Sequence, residues 1–113
     1  MKKENLIFIK HILEAIELIE VSTKNFNKSK FDADKDVRDA TIRRLEIIGE
    51  AAKNLTGKFK NNYKNIEWKK ISGMRDKLIH HYFGVDIERV WNVVKYDIPK
   101  LKKEINYILE EDK

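Results

Sequence analysis

Apolar residues recur at intervals of three and four along most of this chain, and this spacing constrains its fold more than any other feature. It is the spacing of one face of an α-helix, whereas the alternation typical of a strand never persists beyond a few residues. The first two stripes are Ile9, Ile12, Ile16 and Ile19, and then Thr41, Leu45, Ile48, Ala52 and Leu55. The pattern predicts an all-α fold, an up-and-down bundle of four to five helices.

Turn and cap residues divide the first half of the chain. Residues 22–31 are polar and turn-rich, which predicts a loop, and Asp32 or Asp34 can cap the helix that follows. Gly57 is expected to end that helix, and residues 58–66 are expected to form a basic loop.

A third stripe and a final helix complete the expected bundle. Gly84 and Asp86 are expected to end one helix and cap the next, and the only proline, Pro99, predicts a break because it cannot continue a helical hydrogen-bond ladder. Trp68 and Trp91 are expected in the core. The last two stripes are Trp68, Ile71, Met74, Leu78 and Tyr82, and Leu101, Ile105, Ile108 and Leu109.

Composition narrows the class of protein. A chain of 113 residues has the length of one domain, residues 1–113, and it contains no cysteine for disulfides or zinc-thiolate sites. Charged residues interrupt the apolar N-terminal segment, so neither a secretory signal peptide nor a membrane span is expected. A cytoplasmic protein is the default expectation.

The segment with the strongest candidates for catalysis contains Arg75, Asp76, His80 and Tyr82. Arginine binds phosphate oxygens and histidine exchanges protons near neutral pH, which together suit cleavage of a phosphodiester without a metal or cofactor. On a helix, Asp76 would hold His80 from one turn below. Arg75 and His80 would point roughly 140° apart, so two copies sharing one cleft are the favoured arrangement, a homodimer.

Interpretations without a catalytic role also apply to the polar residues of this chain. An arginine and a histidine five apart often occur by chance, and His80 with His81 could form a polar rim. Adjacent histidines diverge on a helix and are a poor metal chelate, so no metal site is expected. Residues Asp32, Asp34 and Asp36 lack the glycine and glutamate of a calcium loop.

Positive charge is concentrated just before the motif. The net charge is +5, and residues 57–77 hold seven Lys or Arg against Glu67 and Asp76. Such a segment would draw a polyanion toward the motif, with Lys69, Lys70 and Lys77 as the candidate patch that binds it. A solvated loop without function is the alternative.

Several separated segments resemble the HEPN domains, and within them the HepT-like toxins of prokaryotic toxin–antitoxin pairs. The ordered set is much more specific than the Arg-x4-His motif alone. The segments lie at residues 47–53, 68–76, 80–86, 90–91 and 97–101, and read IIGEAAK, WKKISGMRD, HHYFGVD, VW and DIPKL.

This resemblance implies a metal-independent endoribonuclease with Arg75 and His80 as the catalytic pair. It also implies that a partner antitoxin, a minimal nucleotidyltransferase, adds AMP to Tyr82, and that toxin and antitoxin form a complex. The expected products are a 2′,3′-cyclic phosphate and a 5′-hydroxyl. Two alternatives stay open: a non-catalytic helical adaptor that binds the nucleotidyltransferase, and a dimeric bundle that binds nucleotides.

Overall fold

The computed structural model describes residues 1–79 and 86–112, with the backbone alone for residues 75–79. Its described residues contain helices and no strand, which confirms the all-α prediction. The helices are α1 (Lys3–Thr23), α2 (Lys28–Ala33), α3 (Lys35–Lys53), α4 (Gly57–Asn61), α5 (Trp68–Ile79), α6 (Ile87–Asn92) and α7 (Ile98–Glu111), with a π-helical turn (Val93–Asp97) joining α6 to α7.

Helices α1 and α3 run antiparallel. At one end, the Asn5 side chain accepts a hydrogen bond from the Thr56 backbone N–H at 3.1 Å, just beyond α3. At the other end, the Arg44 guanidinium donates to the Ser22 hydroxyl at 3.2 Å. The start of α1 therefore lies beside the end of α3.

Helix α7 runs antiparallel to both α1 and α5. Ion pairs join the Met1 amino group to Asp112 at 3.2 Å and Lys102 to Glu20 at 2.8 Å. On its other side, Lys100 meets Glu67, just before α5, at 3.1 Å, and Asp97, just before α7, lies 3.9 Å from Lys70. The two segments therefore run in opposite directions. Because α3 also packs against α5, the four helices form a closed ring in the order α1, α3, α5, α7. This confirms the up-and-down bundle; the homodimer stays a prediction.

The apolar stripes read from the sequence form the core. Ile9, Ile12, Ile16 and Ile19 are fully buried, and each contributes about 1.5–3 kcal/mol by leaving water. The Phe31 ring of α2 lies 5.1 Å from the Trp91 ring and closes one end of the core. Among the described residues, no helix is long and apolar enough to cross a membrane.

Two predicted loops are in part helical. Helix α1 extends to Thr23, and α2 begins inside the expected loop because Asn27 caps it at 2.8 Å and Phe31 is buried. Gly57 begins α4 instead of ending α3, since Thr56 caps that short helix at 3.2 Å. The predicted cap at Asp34 is confirmed by its bond from the Val37 N–H at 3.1 Å.

The predicted break at Pro99 is wrong. The backbone stays helical from Ile87 to Glu111 because the π-helical turn precedes the proline, and the Ile98 N–H bonds five residues back to the Val93 carbonyl. A wider turn gives the proline ring room without ending the helix. Asp86 caps the start of α6, as predicted, by accepting from the Arg89 N–H at 3.3 Å.

Candidate active site

Helix α5 carries the start of the motif and is firmly anchored at its first turn. The Trp68 indole N–H donates to the Tyr63 carbonyl at 3.1 Å, and the Trp68 ring lies 6.1 Å from the Phe59 ring. Ile71 and Met74 are buried on the same side of the helix. Packing therefore fixes the rotation of α5 about its own axis before the chain reaches position 75.

The predicted site residues divide into three groups. Lys69 and Lys70 lie exposed on the first turn of α5. Positions 75–77, which hold Arg75, Asp76 and Lys77, lie on the helical backbone of α5, and their side chains are outside the description. His80 and Tyr82 lie outside the described residues altogether. The pairing of Arg75 with His80 and the role of Tyr82 therefore stay predictions.

Part of the positive charge near the motif is already paired. Lys70 lies 3.9 Å from the Asp97 carboxylate, and Lys100 lies 3.1 Å from the Glu67 carboxylate. The hydrogen bond and the charge of Lys100 lower the pKa of Glu67, and Glu67 raises the pKa of Lys100 in return. Within the described part of the chain, Lys69 has no carboxylate partner.

An open groove of about 620 Å³ runs beside the outer face of α5. Its described lining is Glu67, Lys69, Lys70 and Gly73, and these residues define the α5 groove. A Cβ atom at Gly73 would meet nothing within 4 Å, so no close packing inside the described chain requires a glycine there. A glycine inside a helix costs about 1 kcal/mol relative to alanine.

A second open surface lies across the bundle, between α1 and α3. It consists of two adjoining hollows of about 360 and 300 Å³ that share His11, Arg43 and Ile47, and we call it the α1–α3 groove. Leu18 lines it too and is 43% exposed, and Ile47 is 37% exposed. This surface was not singled out from the sequence.

Sequence reasoning missed two features of the α5 side. The contact between Lys70 and Asp97 joins residues far apart in sequence, so no local pattern signals it. Gly73 did leave a signal, a glycine inside an apolar helical stripe, but its meaning depends on the open space around it. Among the side chains that the structure describes, residues 1–74 and 86–112, no group of three His, Asp or Glu comes together to hold a metal ion.

Comparison with known proteins identifies the relatives of this chain. A family model described as Ribonuclease HepT-like matches residues 12–108, which confirms the resemblance seen in the sequence. A Thermococcus cleftensis protein named "Probable ribonuclease HepT" is 49% identical over 102 residues, covering 90% of this chain and 93% of the relative.

A longer relative comes from Methanocaldococcus jannaschii and is named "Gamma-glutamylcyclotransferase and putative RNase MJ0434". It is 54% identical over 111 residues, which cover 98% of this chain. This chain spans only half the length of that relative. No solved structure matches the chain.

Proposed function

Because the chain belongs to the HepT-like ribonuclease family, we propose that it is a metal-independent endoribonuclease with Arg75 and His80 as its catalytic pair. The observation that carries the proposal is the family match over residues 12–108, which includes the whole Arg75 to Tyr82 motif. The anchored helix α5 and the exposed Lys69 support it, because they offer a polyanion a fixed and positively charged approach to position 75.

In the proposed reaction, the His80 imidazole removes the proton from a ribose 2′-hydroxyl. The freed oxygen attacks the adjacent phosphorus, and the bond from phosphorus to the 5′-oxygen breaks. Arg75 stabilises the negative charge that develops on the phosphate oxygens, and Asp76 orients His80 by accepting its second N–H. The leaving 5′-oxygen takes a proton from a water or from His80 of the partner subunit.

A direct test compares RNA with DNA of the same sequence, each with and without a chelator. Cleavage of RNA alone, unchanged by the chelator, is the expected result, because only RNA supplies the attacking 2′-hydroxyl. Cleavage of DNA at a similar rate, or loss of RNA cleavage with the chelator, would contradict the mechanism.

We also propose that the active unit is a homodimer, because the helical spacing of Arg75 and His80 separates them on one helix. Mixing Arg75→Ala subunits with His80→Ala subunits tests composite sites. Random pairing would give hybrids in half of the dimers, each with one intact site, so about a quarter of the wild-type activity should return. A fully active monomer at nanomolar concentration would contradict the shared cleft.

The biological role that we propose is that of a toxin silenced by a nucleotidyltransferase antitoxin. AMP on the Tyr82 hydroxyl would add a bulky anion near Arg75 and block access of RNA to it. The rival function is a non-catalytic adaptor for the same partner. Toxicity that disappears in the His80→Ala variant supports the nuclease, and toxicity that survives in it supports the adaptor.

A further inference from the structure

We infer that the α5 groove is a subsite for the phosphate backbone of single-stranded RNA, kept open by Gly73 and charged by Lys69. The inference rests on the proposed function, because it places the strand on the helix that carries Arg75. It goes further by assigning to Gly73 the role of an access residue, which keeps the path along α5 clear.

The α5 groove offers open space beside the helix. The groove holds about 620 Å³ of open volume, and the missing side chain at Gly73 contributes to it. Packing inside the described chain does not call for a glycine at this position, since a Cβ there would meet nothing within 4 Å. Gly73 weakens the helix at a place where α5 faces open space. A glycine is useful at such a position if another molecule approaches the helix backbone closely there.

The rim of the α5 groove carries free positive charge. Lys69 lies exposed at the rim, and its ammonium has no carboxylate partner among the described residues. The acid on the same rim, Glu67, is committed to Lys100 at 3.1 Å, which reduces its repulsion of an anion. The Lys70 ammonium lies 3.9 Å from the Asp97 carboxylate, which is a long distance for an ion pair. The groove therefore offers free positive charge to a polyanion.

One face of α5 leads from the groove toward the motif. Positions 69, 73 and 76 follow one line along α5 because they are four and three residues apart on the helix. In the sequence, His80 follows Asp76 by a further four residues. A strand in the groove would thus run along the helix toward the motif. A second copy of the chain is the rival occupant of the groove, and the solution mass of the variants tests it.

The experiment measures binding of a mixed-sequence 2′-O-methyl RNA 20-mer, which lacks the attacking hydroxyl, by fluorescence anisotropy. Gly73→Leu places a four-carbon side chain in the path along the groove and should weaken binding on the order of tenfold, as expected for the loss of one or two phosphate contacts. Gly73→Ala should bind within about twofold of the wild type and should melt a few degrees higher, because alanine favours the helix.

Gly57→Leu is the matched control. Gly57 begins α4, and a Cβ there also meets nothing within 4 Å, so the change adds the same side chain in open space away from the α5 groove. It should leave binding unchanged. Circular dichroism and the solution mass of each variant accompany the titrations, so that unfolding and dissociation are seen directly.

The outcomes separate this inference from the proposed function. Wild-type binding of the 20-mer without cleavage of ordinary RNA would refute the nuclease and leave the groove standing. Gly73→Leu that is folded and binds as tightly as the wild type would refute the groove, whatever the cleavage activity. Absence of binding by the wild type, or conversion of a wild-type dimer to monomers by Gly73→Leu, would also overturn the inference.

Discussion

The two open grooves of this protein differ in how their cations are used. In the α1–α3 groove, Arg43 pairs with Glu46 at 3.4 Å, and Arg44 donates to the Leu18 carbonyl at 3.4 Å. In the α5 groove, Lys69 has no carboxylate partner within the described chain. Cations are present on both sides of the bundle, so their number alone does not predict an RNA-binding surface. What matters is whether a neighbouring carboxylate or carbonyl already satisfies them.

The largest contrast between the two sides should appear in catalysis. Arg75→Ala and His80→Ala should each reduce RNA cleavage on the order of 10²–10⁴-fold, since each removes a group that acts in the transition state. Arg43→Ala is the matched control, an arginine on the α1–α3 side whose side chain is 72% exposed. It should cleave RNA like the wild type in a single-turnover assay. A comparable loss in Arg43→Ala would erase the distinction between the grooves.

The next largest effect should come from modification. Co-expression with a minimal nucleotidyltransferase should add whole AMP units to Tyr82 and silence cleavage, and Tyr82→Phe should escape silencing. Tyr96→Phe is the control, because Tyr96 lies in the π-helical turn and is 64% exposed. Peptide mass spectrometry with a cleavage assay checks both variants. Complete silencing of Tyr82→Phe would mean that the partner inhibits by binding alone.

A smaller effect should distinguish the two lysines of α5. Lys69→Gln should lower the slope of log affinity against log salt by about 0.7, the value for one lost contact to single-stranded nucleic acid. Lys70→Gln should lower it less, because Asp97 already engages that ammonium. Lys10→Gln, at an exposed position on α1, should leave the slope unchanged. Equal slopes for all three variants would show that the RNA contacts lie elsewhere.

The smallest effect concerns the ion pair at the rim of the α5 groove. Lys100 lowers the pKa of Glu67 below its ordinary value of 4.5, so the pair stabilises the fold above that pH and loses this contribution as pH falls through the lowered pKa. Both groups are exposed to solvent, so the effect is small. The difference in melting temperature between the wild type and Glu67→Gln should be slightly smaller at acid pH than at neutral pH. A gap that widens on acidification would contradict this assignment.

The sequence predicted the bundle well because burial follows helical periodicity. The stripe from Ile9 to Ile19 is fully buried, and Trp68 and Trp91 belong to the core as expected. The wrong predictions were made from local sequence rules at places where the three-dimensional structure decides the backbone conformation. Burial of Phe31 stabilises a helix in a polar segment, and a π-helical turn allows the helix to continue through Pro99.

The candidate site was predictable in its residue types but not in its surroundings. Arg75 and His80 stood out by their chemistry and by family resemblance, and Lys69 by its place in a basic segment. The different states of Lys69 and Lys70 were not predictable, because the partner of Lys70 belongs to the π-helical turn before α7. The open space beside Gly73 was not predictable either, since only the fold shows it.

The central claim is that His80 makes a ribose 2′-hydroxyl attack the adjacent phosphate. Mapping both new RNA ends after a short incubation in chelator tests it most directly, with the wild type, His80→Ala and His81→Ala compared side by side. The account predicts 2′,3′-cyclic phosphate and 5′-hydroxyl ends from the wild type and His81→Ala, and almost no new ends from His80→Ala. Ends with a 5′-phosphate, or undiminished cleavage by His80→Ala, would contradict it.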